Sequence, residues 1–231
     1  MLVCGHQPNY LPWLGFFHKL AQAERFMLVD TVQYVGRGPF GFMHRNKIRN
    51  AEGWQWLSLP IRHKGRREQL IHEAELNNEL RWARKHWAAI EYHYRKAPHF
   101  DAYAAPFHEI YHQEWTHLAP LASSLIQAIA DALEIATPIA LASSEGVSGE
   151  STHLILNICK HYGASRYLSG VHGRDYLDMA LLAREGVEVV FQDFKHPTYP
   201  QHQGGDFQPA MCALDALFNL GPDAAALVRA E

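Results

Sequence analysis

A short apolar strand that runs into a rigid polar loop and then into an amphipathic helix is the opening of an α/β protein, and this chain begins with one. Residues 1–4 are apolar and form a strand, after which His6, Gln7, Asn9 and Tyr10 stand at its carboxyl end, held by Pro8 and Pro12. Trp13, Phe16, Phe17 and Leu20 recur at helical spacing and are expected to pin a helix onto the sheet. Gly15 lets the backbone come close to whatever sits there. Residues 26–29 read as the next strand, ending at Asp30 and Gln33. Ligands of open α/β sheets bind at the carboxyl ends of strands, so His6, Gln7, Asp30 and Gln33 are candidates for one pocket, with Tyr10 and Lys19 as binding neighbours.

The rest of the chain extends the pattern. Residues 54–61 alternate apolar and polar positions and read as a strand ended by Pro60, following a Gly-rich loop at 35–41. A long helical stretch covers about 80–135, with Pro98, Pro106 and Pro120 as expected breaks and core stripes such as Trp87, Ile90 and Tyr94. Strands at 138–141, 166–169 and 187–191 then alternate with helices at 151–162 and 175–184. Such alternation favours a parallel sheet with right-handed crossovers. The expected architecture is an α/β, Rossmann-like, mostly parallel sheet with a helical insertion, in one domain over residues 1–231.

Composition narrows the class. The 231 residues are 48% hydrophobic, enough for a large core, and carry a net charge of −3. That balance is unlike the broad basic footprint of a protein that binds nucleic-acid duplexes. The basic run at 62–67 is broken by Gly65 and reads as a solvated loop. Cys4, Cys159 and Cys212 have no metal-binding spacing and read as buried apolar residues in a reducing compartment. No apolar segment approaches the roughly 20 residues of a membrane span and no N-terminal signal fits, so a cytoplasmic location is expected.

Several blocks carry candidate chemistry. In HRNKIRN, read as a loop, Arg45 offers a fork for phosphate or carboxylate, Asn46 can read a hydroxyl or amide and Lys47 adds a point charge; cations in a loop are more often merely solvated, so Arg45 and Asn46 are the candidates. YLSGVHGRDYLD puts Ser169 and Gly170 after a strand, with Tyr176 just beyond, in a turn whose backbone amides could bind an oxyanion and whose helix Asp175 could cap. Gln192, Tyr199 and Gln201 are neutral hydrogen-bonding groups of the kind that recognise sugar hydroxyls. Asp30 could act as base, hydroxyl acceptor or metal ligand, or simply cap the next turn. His6 is the better base because an ordinary imidazole titrates near neutrality.

The segment from His6 to Tyr34, HRNKIRN, YLSGVHGRDYLD, VVFQDF, HPTYPQ and FQPAMCALDALFNLG together resemble, in order, the conserved blocks of the WbqC-like protein family. The sequence departs from that pattern at Thr31 and at 39–43. The resemblance implies a bacterial protein connected with surface-polysaccharide (O-antigen) synthesis, with glycyl or small acyl transfer to a sugar as the implied activity. The expected catalytic residues are then His6 and Asp30, and the partner a small molecule, a nucleotide-linked sugar or amino acid. Nothing in the chain assigns a cofactor. A non-catalytic sugar-nucleotide or glycan-binding accessory protein is the alternative. A further alternative, a zinc hydrolase, rests on His108-Glu109-Ile110-Tyr111-His112, which has the HExxH spelling but no convincing third ligand, so no metal site is expected.

Overall fold

The structure, a computed structural model, describes residues 1–36, 43–66 and 68–229, and the expected Gly-rich loop at 35–41 lies mostly outside them. Among the described residues there are seven strands: β1 (Leu2–His6), β2 (Arg25–Leu28), β3 (Arg45–Asn50), β4 (Gly53–Ser58), β5 (Ile139–Leu141), β6 (Arg166–Ser169) and β7 (Glu188–Phe191). Five form one parallel sheet in the order β5-β2-β1-β6-β7, while β3 and β4 pair antiparallel as a separate hairpin. The protein is therefore α/β, with a mostly parallel sheet. The chain adds β2 and β5 on one side of β1, then crosses to add β6 and β7 on the other.

Alternation along the strands separates two cores. Cys4, Phe26, Leu28 and Leu168 face a large core that also holds α1 (Leu14–Gln22), while Val3, Met27, Val29 and Tyr167 face a smaller one. The helical stretch forms α2 (Trp82–Tyr94), α3 (Phe100–His112) and α4 (Leu118–Ala132), which join the large core. The smaller core is closed by α5 (Ser151–Tyr162) and α6 (Met179–Arg184), and α7 (Ala213–Leu220) and α8 (Ala226–Arg229) return to the larger one. The fully buried Phe16, Phe17 and Leu20 pin α1 as expected.

Four expectations need correction. Trp13 is not core: it is the N-cap of α1 and 37% exposed, because the helix begins one residue after it and its ring turns outward. Pro106 lies inside α3 without ending it; buried Phe107, Ile110 and Tyr111 hold the helix together around the missing amide. The helix expected over 175–184 divides into a 3-10 turn, Val171–Asp175, and α6, whose cap is Asp178 accepting from Leu181 N–H at 2.9 Å, in place of Asp175. HRNKIRN is a strand of the hairpin where a loop was expected, because Ile48 is fully buried.

Candidate functional site

The strand order changes direction between β1 and β6, and the carboxyl ends of those two strands open into a cleft of about 970 Å³. This is the place where open parallel sheets leave room for a ligand, and the volume suits a molecule of drug size or larger. Gly5, His6 and Gln7 enter from β1, Ser169, Gly170, Gly173 and Tyr176 from β6 and its turn.

Local hydrogen bonds fix this geometry. Val29 N–H donates to the His6 carbonyl at 2.8 Å, and Gln192 N–H to the Ser169 carbonyl at 2.8 Å, so both strand ends are held by their neighbours. A β-carbon on Gly5 would meet Ile158 at 2.9 Å and the Tyr167 hydroxyl at 3.2 Å, which is why a glycine precedes His6. Gly15, expected to clear space for a ligand, instead clears space for Trp13, whose indole would lie 2.5 Å from a β-carbon there.

At the floor, the His6 ring sits edge-on to Phe16, 4.9 Å between centroids, and its Nδ1 is 2.9 Å from the Gln7 carbonyl. A carbonyl only accepts, so Nδ1 carries the proton and Nε2 keeps the lone pair. Burial, then the positive charge of Lys19, lowers the His6 pKa to about 4, so the ring is neutral at physiological pH. Lys19 also lines the cleft although it is only 5% exposed. Its ammonium donates to the Gly5 carbonyl at 3.2 Å, and no carboxylate pairs with it among the described residues.

The walls differ in character. Val29, Leu154, Ile155, Ile158 and Tyr167 make one side apolar. The other carries Trp13, Asn46, Lys47, Trp54 and Trp56. In the hairpin register Lys47 faces Trp56 and Arg49 faces Trp54, so cations and indoles share one face. The Lys47 ammonium lies 5.0 Å from the centre of the Trp54 ring and the Arg45 guanidinium 4.6 Å from that of Trp56. The hairpin is tied to the β1–α1 loop by Asn46 Nδ2 donating to the Leu11 carbonyl at 2.5 Å, and to the start of α7 by Cys212 N–H donating to the Lys47 carbonyl at 2.9 Å.

Of the residues singled out in the sequence, His6, Gln7, Lys19, Asn46, Ser169, Gly170 and Tyr176 line this cleft. The others stand apart from its lining. Tyr10 is fully buried, with its hydroxyl 2.7 Å from His86 Nδ1 and bonded to Tyr111. Asp30 is fully buried and its carboxylate accepts the N–H and O–H of Ser143, at 2.9 and 2.5 Å, which secures the end of β5: the turn-capping alternative. Gln33 is exposed in a bridge to Leu70, and Arg45 lies against Trp56. Gln192 donates to the Gly15 carbonyl at 2.8 Å, joining β7 to α1. Tyr199 and Gln201 both donate to the buried Asp215 carboxylate at 2.8 Å, so they serve the core beneath the hairpin.

Sequence reasoning weighed Lys47 but passed it over, and it missed Trp54, Trp56 and the α5 wall. The alternation at 54–61 did mark Trp54 and Trp56 as one face of a strand, and that face is the one turned to the cleft. The HEIYH residues lie elsewhere, on α3, where the exposed His108 and His112 rings stack at 3.9 Å. Among the described residues no group of three His, Cys, Asp or Glu side chains could hold a metal ion.

Comparison with known proteins agrees with the sequence blocks. The profile of the WbqC-like protein family matches residues 7–227. The chain belongs to the WbqC-like protein family. This WbqC-like chain is also similar to the uncharacterised protein Rv1507c of Mycobacterium tuberculosis, 34% identical over 225 residues that cover 96% of this chain and 95% of the relative. No solved structure matches it significantly. No helix among the described residues is long and apolar enough to cross a membrane.

Proposed function

We propose that this protein is a transferase of surface-polysaccharide precursor synthesis, moving a glycyl or other small acyl group from an activated donor to a sugar. One observation carries the reading: an imidazole nitrogen with an available lone pair and an uncompensated ammonium share the floor of one large cleft at the β1–β6 junction. The sheet order there supports a Rossmann-like reading, and the family blocks support the polysaccharide setting. In the step proposed, Nε2 of His6 accepts the proton of the attacking amine or hydroxyl as that atom bonds to the acyl carbon, and the donor's leaving group departs with its electron pair. Lys19 faces the negative charge of donor or acceptor, and the indoles of Trp13 and Trp54 offer flat faces to a sugar or base. Asp30 has no part in this step, since both of its oxygens are engaged by Ser143.

The lowered pKa of His6 favours a second reading, a sugar-nucleotide-binding protein without chemistry, because a base with a pKa of about 4 is weak at neutral pH. An anion bound beside Lys19 would cancel the smaller of the two causes that lower the pKa, burial being the larger, and so moves the ring back toward a useful base. Mass spectrometry separates the readings: nucleotide-linked sugars incubated with glycine, ATP and protein gain the glycyl mass under the first and are returned unchanged under the second.

A further inference from the structure

Lys19 is buried with no carboxylate beside it among the described residues. A lysine that is 5% exposed gives up most of its hydration, and such groups are ordinarily paired. Here the ammonium has one carbonyl acceptor, Gly5, with the Cys4 thiol and the neutral His6 as its other polar neighbours. A lysine held in this way, lining an open cleft, is a preformed place for an anion. A second feature lines the same cleft. Helix α5 begins at the cleft with Ser151, which lines it, and its N-cap Glu150 makes no side-chain capping bond. Its first amides thus add partial positive charge. Ser151 itself has a φ of 48°, a left-handed conformation that costs energy in a residue other than glycine.

The rest of the cleft says what the anion is attached to. It is far larger than an acetate or a free phosphate requires, and a second ammonium, that of Lys47, lies over Trp54 at the rim. Trp54 is 43% exposed and stands edge-on to Trp56, 5.5 Å between ring centroids, so the two indoles offer the rim an aromatic surface on which a base can stack. We propose that the cleft takes a nucleoside-diphosphate-linked group, with the diphosphate on Lys19 at the start of α5 and the base against the indoles of the β3–β4 hairpin. This assignment rests on the β1–β6 cleft being the functional site, and it moves the anion anchor from Arg45, which the sequence favoured, to Lys19.

Isothermal titration calorimetry of the full-length protein with UDP, ADP, GDP and CDP, and with inorganic pyrophosphate and glycine, tests it. At least one nucleoside diphosphate binds, about 10-fold or more tightly than pyrophosphate, because stacking adds to the charge contact. Lys19→Met weakens that binding about 10- to 100-fold, in line with loss of a charged hydrogen bond. The ligand-free Lys19→Met protein melts no lower than wild type, since an uncompensated buried charge has been replaced by an apolar side chain of similar size. Trp54→Ala, at an exposed position, weakens the nucleotide and leaves pyrophosphate unchanged. Failure of all four nucleotides to bind wild type, or binding indifferent to both substitutions, overturns the proposal, as does glycine displacing pyrophosphate with no nucleotide bound. Turnover is a separate readout: nucleotide binding without transfer rejects the transferase reading alone, and transfer without nucleotide binding rejects this one alone.

Discussion

A β-carbon on Gly173 would stand 2.0 Å from Oγ of Ser169 and 3.2 Å from its Cβ, so with a side chain at residue 173 the Ser169 hydroxyl would have to move from its place in the turn after β6. The contact brings the Ser169–Gly170 turn to the edge of the cleft. Gly173→Ala should cost roughly 1 to 3 kcal/mol through overpacking. Ser169→Gly in the same chain should recover part of that loss, because it removes both clashing atoms. Denaturant melts of the two single variants and the double variant measure the coupling, and strictly additive losses would show that the two residues do not compete for space.

Trp13 and Phe17 separate the cleft from the core. Phe17 is fully buried, and Phe17→Ala should cost about 3 to 5 kcal/mol. Trp13 packs edge-on against Phe194 and stacks on His196 while remaining 37% exposed, so Trp13→Ala should cost less than half as much. It should instead weaken ligand binding, which calorimetry and thermal melts on the same samples will distinguish.

The legible part of this protein was the part governed by local pattern. The limits of α5 and β6 match the apolar periodicity of residues 151–162 and 166–169, and the residues at the ends of β1 and β6 meet because parallel strands present their carboxyl ends on one side. What local pattern could not show was which polar side chains would be claimed by the protein itself. Asp30, Gln192, Tyr199 and Gln201 all look like ligand-reading groups, yet each satisfies a partner distant in sequence: Ser143, Gly15 and, for the last two, Asp215. Lys19 shows the converse, since its helical position gave no sign that it would be buried without a counter-charge.

That distinction is testable at Asp215, whose carboxylate accepts from Tyr94 at 3.0 Å and from Tyr199 and Gln201 at 2.8 Å. Tyr199→Phe leaves a buried carboxylate one donor short and should cost about 1 to 3 kcal/mol of stability. Ligand affinity should stay at the wild-type value, because Tyr199 is not among the cleft residues. A variant with unchanged melting and lost binding would return Tyr199 to the site.

Stability should also depend on pH through three histidines. His6, His44 and His86 are each held at about 4, chiefly by burial, against about 6.5 in an unfolded chain. The unfolded chain therefore binds more protons between these values. The stabilisation from keeping the rings neutral is complete above about pH 6.5 and is lost as pH falls toward about 4, by at most about 1.4 kcal/mol per pH unit for each ring. Chemical denaturation at a series of pH values from neutral to acid should show that fall, shallower in His6→Gln than in wild type. A flat profile would mean that the rings are solvated.

Whether the β1–β6 cleft is where this protein meets its substrate is decided by a crystal structure with a bound nucleotide-linked sugar. The expected result is ligand density between His6 and Ser169, with phosphate oxygens within hydrogen-bond distance of the Lys19 ammonium. Density confined to the open polar groove among His63, Arg66, Glu75 and His117, with the cleft empty, would contradict it.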